Sequence, residues 1–131
     1  MTWLDPLLRR QFVDLALVAG VANSSWGEFV TVGAVAVDPA GLGDIRAVSF
    51  EAVLEVTDAA DTAELRLFDL VAEEALVTLS ASSLSPAHVA SSVALAPGKR
   101  IYEAQLRLAS DGDGNIATCK SARLRIDFSV R

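Results

Sequence analysis

One cysteine, one histidine and one tyrosine stand in 131 residues, so the chain is poor in the side chains on which much catalysis depends. Cys119 alone allows no intramolecular disulfide and no multi-cysteine zinc site. His88 alone leaves Ser/His/Asp triads and multi-histidine metal centres without their parts. Basic residues are outnumbered, with 11 Lys and Arg against 17 Asp and Glu. The resulting formal charge of −6 repels nucleic-acid phosphates, which argues against a nucleic-acid partner. Acidic or basic residues interrupt every apolar stretch before the ~20 residues that a spanning helix needs, so no membrane segment is expected.

What the chain does have is apolar content, at 52% of residues. That is too much for an intrinsically disordered chain, and the length suits one domain, for which ~100–150 residues is usual. The N-terminus needs separate reading. Arg9-Arg10-Gln11-Phe12 followed by an apolar run with Gly20-Val21-Ala22 looks like a twin-arginine export signal with a cleavage site. Asp14 interrupts that run, and Trp3, Leu4, Leu7 and Leu8 occupy the place of a polar leader, so the segment is read as part of the fold. Residues 1–10 are taken as an arm and 11–131 as a single domain. Asp5-Pro6 can start at most two helical turns in that arm. Asn23-Ser24-Ser25 fits a glycosylation acceptor, but nothing else in the chain supports a secretory context.

The dominant pattern has a period of two. Val48, Phe50, Ala52, Leu54 and Val56 alternate with Ser49, Glu51, Glu55 and Thr57, and only Val53 breaks the rule. Ala122, Leu124, Ile126, Phe128 and Val130 likewise alternate with Arg123, Arg125, Asp127, Ser129 and Arg131. A helix would scatter those charges around its circumference; a half-buried strand gathers them on one side. Similar stretches at 12–21, 28–37, 63–70, 75–80, 87–96 and 100–109 bring the expected strands to eight. Turn-forming residues separate them, including Asp38-Pro39-Ala40-Gly41, Pro97-Gly98-Lys99 and Asp111-Gly112-Asp113-Gly114-Asn115. Eight short antiparallel strands in two packed sheets is the plan of a jelly-roll sandwich. A hairpin closing at 111–115 would set Glu103 opposite Arg123 and neutralise the C-terminal arginine stripe across the strands.

Few residues offer chemistry. Asp111, Asp113 and Asn115 open like a calcium loop, but Ile116 and Ala122 stand where that loop needs glycine and glutamate; a tight turn is the reading, with a weak cation site as the alternative. His88 has no second ligand beside it in the sequence, and Cys119 is expected to pack as a small hydrophobe. Glu73-Glu74 and Asp58/Asp61 fall in turns, where acids serve as solvated ends. Tyr102 is in phase with Ala104, Leu106 and Leu108 and belongs to the core, which leaves Trp26 as the exposed aromatic for a sugar platform. No complete nucleophile, base and orienter is present, so no enzyme and no cofactor is expected.

The succession Val48-Ser49-Phe50-Glu51-Ala52-Val53-Leu54, Ala63-Glu64-Leu65-Arg66-Leu67-Phe68-Asp69-Leu70, then Leu95-Ala96-Pro97-Gly98-Lys99 leading into Tyr102-Glu103-Ala104-Gln105-Leu106, resembles jelly-roll modules of phage-type virion accessory proteins. The resemblance covers most of the chain from Phe12 onward and implies a structural subunit that decorates, cements or adheres, in a virion or a bacterial surface assembly. Apolar residues on both faces of 29–37 add surface for self-association as a homo-oligomer such as a trimer, with Trp3, Leu4, Leu7 and Leu8 docking onto a neighbour. The alternative is a carbohydrate-binding module using Trp26 and the loop around 111–115.

Overall fold

The computed structural model describes residues 10–18, 22–25, 27–109 and 114–129. Nine strands occur among them: β1 (Arg10–Val18), β2 (Ala22–Ser24), β3 (Val30–Val37), β4 (Asp44–Val56), β5 (Ala63–Asp69), β6 (Glu74–Ala81), β7 (Ala87–Ser92), β8 (Arg100–Leu108) and β9 (Ala117–Ser129). They form two antiparallel sheets: one runs β1-β9-β4-β7, with β2 also on β9, and the other runs β3-β8-β5-β6. This is the two-sheet jelly-roll-like sandwich that the alternation implies.

Burial follows the alternation closely. In β4 the apolar set Val48, Phe50, Ala52, Leu54 and Val56 is buried, and Ala63, Leu65 and Leu67 of β5 meet it from the other sheet. Tyr102, Ala104, Leu106 and Leu108 of β8 and Leu124 and Ile126 of β9 complete the layer, all fully buried. Each large apolar side chain so enclosed contributes ~1.5–3 kcal/mol, so the shared inner faces hold the sheets together. Cys119 is part of this core, as its strand position implies.

Connections are built from local chemistry. Between β5 and β6, Asp69 Oδ1 accepts the backbone N–H groups of Val71 and Ala72 at 2.9 and 3.1 Å, and Glu73 takes the left-handed conformation at φ 58°. Residues 70–73 thus form a turn, where Glu73 is expected to lie. Asp69 is only 1% exposed, and Arg100 donates to its second oxygen at 3.3 Å, so the buried charge is paired.

Three sequence expectations need correction. The strand expected over 12–21 starts at Arg10 and is described as far as Val18, and a further short strand, β2, occupies Ala22–Ser24, where none was expected; both lie along β9. The strand expected over 87–96 ends at Ser92: Val93 still donates to the Val48 carbonyl at 3.0 Å, and then the chain leaves the sheet. Most consequentially, β8 and β9 do not form a hairpin. They belong to opposite sheets, so Glu103 faces Ala34 and Phe68 in register, never Arg123. Alternation specifies which face of a strand is buried but not which strand lies beside it. Backbone bonds anchor the ends of the crossover apart: Ala109 donates to the Thr62 carbonyl, whereas Ile116 accepts from Thr57.

Candidate functional site

Residues between the core positions face outward, and on the five-stranded sheet four strands bring theirs into one array. β1 contributes Phe12, Asp14 and Ala16; β9 contributes Ser121, Arg123, Arg125 and Asp127; β4 contributes Ala47, Ser49, Glu51 and Val53; β7 contributes His88 and Ser92. They line two neighbouring depressions, of about 170 Å³ around Phe12 and Arg125 and about 380 Å³ around Glu51 and Arg123. A third, of about 850 Å³, shares Ala47 and Val48 with the first and continues between the start of β4 and residues 93–98. The three follow the direction of β4, as a trough for an extended ligand would.

A ladder of charge crosses this trough. Arg123 donates to Asp14 Oδ2 at 3.4 Å and to Glu51 Oε1 at 3.0 Å, and His88 Nε2 stands 3.2 Å from the same Glu51 oxygen. Burial alone would raise the Glu51 pKa, but hydrogen bonds with Arg123, His88 and Ser49 outweigh it and hold the carboxyl below its usual value. The Glu51 hydrogen bond and the Asp14 charge push Arg123 upward in turn. Within the arginine stripe Arg123 is therefore neutralised across strands, by Asp14 and Glu51 and not by Glu103. Further along, Lys120 pairs with Glu55 at 3.3 Å, and the Arg125 guanidinium carbon lies 4.6 Å from the centre of the Phe12 ring. Phe12 remains 54% exposed.

The outer face of the four-stranded sheet is also ordered by stacked cations. Arg66 and Arg107 lie 4.1 and 4.3 Å from the Phe29 ring centre, and Arg66 is also 5.1 Å from that of Phe68. Gln105 and Glu64 accept from these arginines at 2.6 and 2.7 Å. This face is filled by its own side chains.

Trp3, Leu4, Leu7, Leu8, Trp26, Asp111 and Asp113 lie outside the described residues. Asn115 donates through Nδ2 to Asp61 Oδ2 at 2.6 Å, tying the crossover to the loop before β5. Asp61 is buried, against the expectation of a solvated end, whereas Asp58 forms its turn by accepting from Ala60 at 2.9 Å. Among the described residues no group of three His, Cys, Asp or Glu is placed to hold a metal ion. His88 is exposed at the edge of the trough, and Glu73 and Glu74 are exposed at the β5–β6 turn. The trough itself escapes sequence reading: the phases of Phe12, Glu51 and Arg125 are visible, but their meeting depends on the β1-β9-β4-β7 order.

No family model and no curated protein matches the chain. Solved structures do match its fold. The CBM36-1 domain of a multidomain xylanase from the hindgut metagenome of Trinervitermes trinervoides is 14% identical with a TM-score of 0.55, over 93% of this chain and 99% of that one. Eiger TNF from S. frugiperda is 16% identical with a TM-score of 0.51, over 92% and 94% respectively. At such identities the likeness is one of fold, and it places the chain among jelly-roll β-sandwich modules.

Proposed function

We propose that the protein is a non-catalytic binding module that holds an extended polysaccharide along the outer face of its five-stranded sheet. The observation that carries this reading is the line of depressions along β4, in which hydroxyl, carboxylate and guanidinium groups surround the exposed ring of Phe12. Sugars need such a mixture, since their hydroxyls seek polar partners and their C–H faces pack on aromatic rings. The fold likeness to a domain of a xylanase points the same way. Affinity electrophoresis through gels containing xylan, hydroxyethyl cellulose, polygalacturonate or alginate tests it. Retardation by one of these polymers, reduced in Phe12→Ala, is expected; unretarded migration in all four gels rejects the reading.

A second reading is a structural subunit of a larger particle, in line with the virion-type resemblance of the sequence. It is favoured by an apolar patch at one end of the four-stranded sheet. There Leu70, Val71 and Ile101 are 40%, 60% and 44% exposed, and Leu70 N–H donates to the Ile101 carbonyl at 3.0 Å. On this reading a homo-oligomer forms, and residues 1–9 strengthen it. Light scattering that shows a monomer at every concentration would remove this reading and leave the first standing.

A further inference from the structure

The arginines differ in one respect that bears on the ligand. Arg46 Nε donates to Ser129 Oγ at 2.7 Å, Arg66 to Gln105, Arg100 to Asp69 and Arg107 to Glu64, and Arg123 is shared by Asp14 and Glu51. Arg125 has no such acceptor among the described residues; what it touches is the Phe12 ring. Against a ring face a guanidinium keeps N–H donors to spare, in a fork matched to a carboxylate.

The surroundings keep this cation available. In register Arg125 faces Asp14 on one side and Ser49 on the other. Asp14 is engaged by Arg123, and Asp127 is buried with an interaction of its own. The small depression at Arg125 is lined besides by Ala47, Val48 and the largely buried Asp127, by the hydroxyl-bearing Ser49 and Ser92, and by the exposed ring of Phe12. A fixed cation, two hydroxyls and an aromatic face are together suited to a sugar ring that carries a carboxylate.

We propose that Phe12, Ser49, Ser92 and Arg125 form a carboxylate subsite, so that the polysaccharide held along this sheet is an acidic one whose uronate group takes the Arg125 fork bidentately. The inference rests on the polysaccharide reading above and narrows it. With a net charge of −6 the protein repels an acidic polymer at long range, so the contact depends on this local pair and not on a general basic field. Raising salt from ~0.02 M to ~0.15 M therefore leaves binding unchanged or strengthens it, the reverse of non-specific polyanion adhesion.

Affinity electrophoresis and calorimetry of the whole chain with polygalacturonate, alginate, methyl-esterified polygalacturonate and poly-glutamate test the subsite. Wild type should bind one of the two uronate polymers and bind the neutral ester about tenfold or more less tightly. Arg125→Gln should lose about tenfold or more toward the uronate polymer, and Arg125→Lys should recover only part, because an ammonium is not a fork. Far-UV circular dichroism confirms that both variants fold. Equal binding of acid and ester, unchanged by Arg125→Gln, overturns the subsite and leaves the polysaccharide reading standing. Binding of poly-glutamate as tight as that of the uronates assigns the fork to acidic peptides and overturns the proposal, as does affinity that falls steadily with salt. Failure to bind any polysaccharide removes both.

Discussion

Gly33 of β3 and Leu17 of β1 meet backbone to backbone at the edge of the sandwich, where a β-carbon on Gly33 would overlap the Leu17 carbonyl oxygen and stand 2.7 Å from its carbon. The two strands belong to different sheets, and this contact brings their edges together. The obstacle is backbone, so no rotamer change relieves it. Gly33→Ala is expected to cost more than ~3 kcal/mol, or to prevent folding. Urea denaturation measures it; a loss below ~1 kcal/mol would show that the two edges can separate freely.

The buried carboxylate of Asp69 does two jobs, accepting from the turn at Val71 and Ala72 and pairing with Arg100. Asp69→Ala removes both and leaves Arg100 without its partner, at an expected cost of about 3 kcal/mol. Asp69→Asn keeps an oxygen for the turn and should cost clearly less. Equal losses in the two variants, read from chemical denaturation, would mean that the ion pair alone matters.

Tyr102 is fully enclosed, and its hydroxyl has no hydrogen-bond partner of good geometry among the described residues. Burial raises its pKa, with only partial opposition from the Ala96 backbone. Removing an unsatisfied buried hydroxyl relieves a desolvation cost, so Tyr102→Phe is expected to leave stability unchanged or raise it by up to ~1 kcal/mol. A thermal midpoint that drops by several degrees would contradict this.

Burial pushes the Cys119 thiol up to about 11 from its ordinary 9.0. Because the folded value is the higher one, the neutral thiol's stabilisation is complete below the unfolded pKa. It is lost as pH rises through the window between the two values, at about 1.4 kcal/mol per unit. Cys119→Ala should flatten the decline in stability over that window, in denaturation series run at stepped pH. The native thiol should also resist a disulfide reagent at neutral pH and react once urea unfolds the chain. Rapid reaction of the native protein would place the thiol outside the core.

The parts of the fold legible in the sequence are those set by local alternation. Val48 to Val56 and Ala122 to Phe128 show their inward faces residue by residue, and Tyr102 declares its burial through the phase it shares with Leu106 and Leu108. Partner choice is another matter. The 111–115 turn residues suit a hairpin as well as a crossover, so Glu103 and Arg123 look like neighbours on paper but lie in opposite sheets. Bulges hide boundaries too: at β9 the register slips between Val53/Ser121 and Leu54/Cys119, which breaks the alternation where the strand in fact continues back to Ala117. The trough inherits this difficulty, since Phe12, Glu51 and Arg125 become one surface only after β9 has taken its place between β1 and β4.

That central position of β9 bears on how the chain is made. β1 and β2 pair with β9 and with no other described strand, and β4 has it along one side. On a ribosome the first two strands would therefore emerge long before their partner, and the five-stranded sheet gains its middle only when residues 117–129 leave the exit tunnel. The four-stranded sheet, complete once Leu108 is out, can form ahead of it. Synthesis thus favours one sheet before the other, and leaves the face that carries the trough to be assembled last.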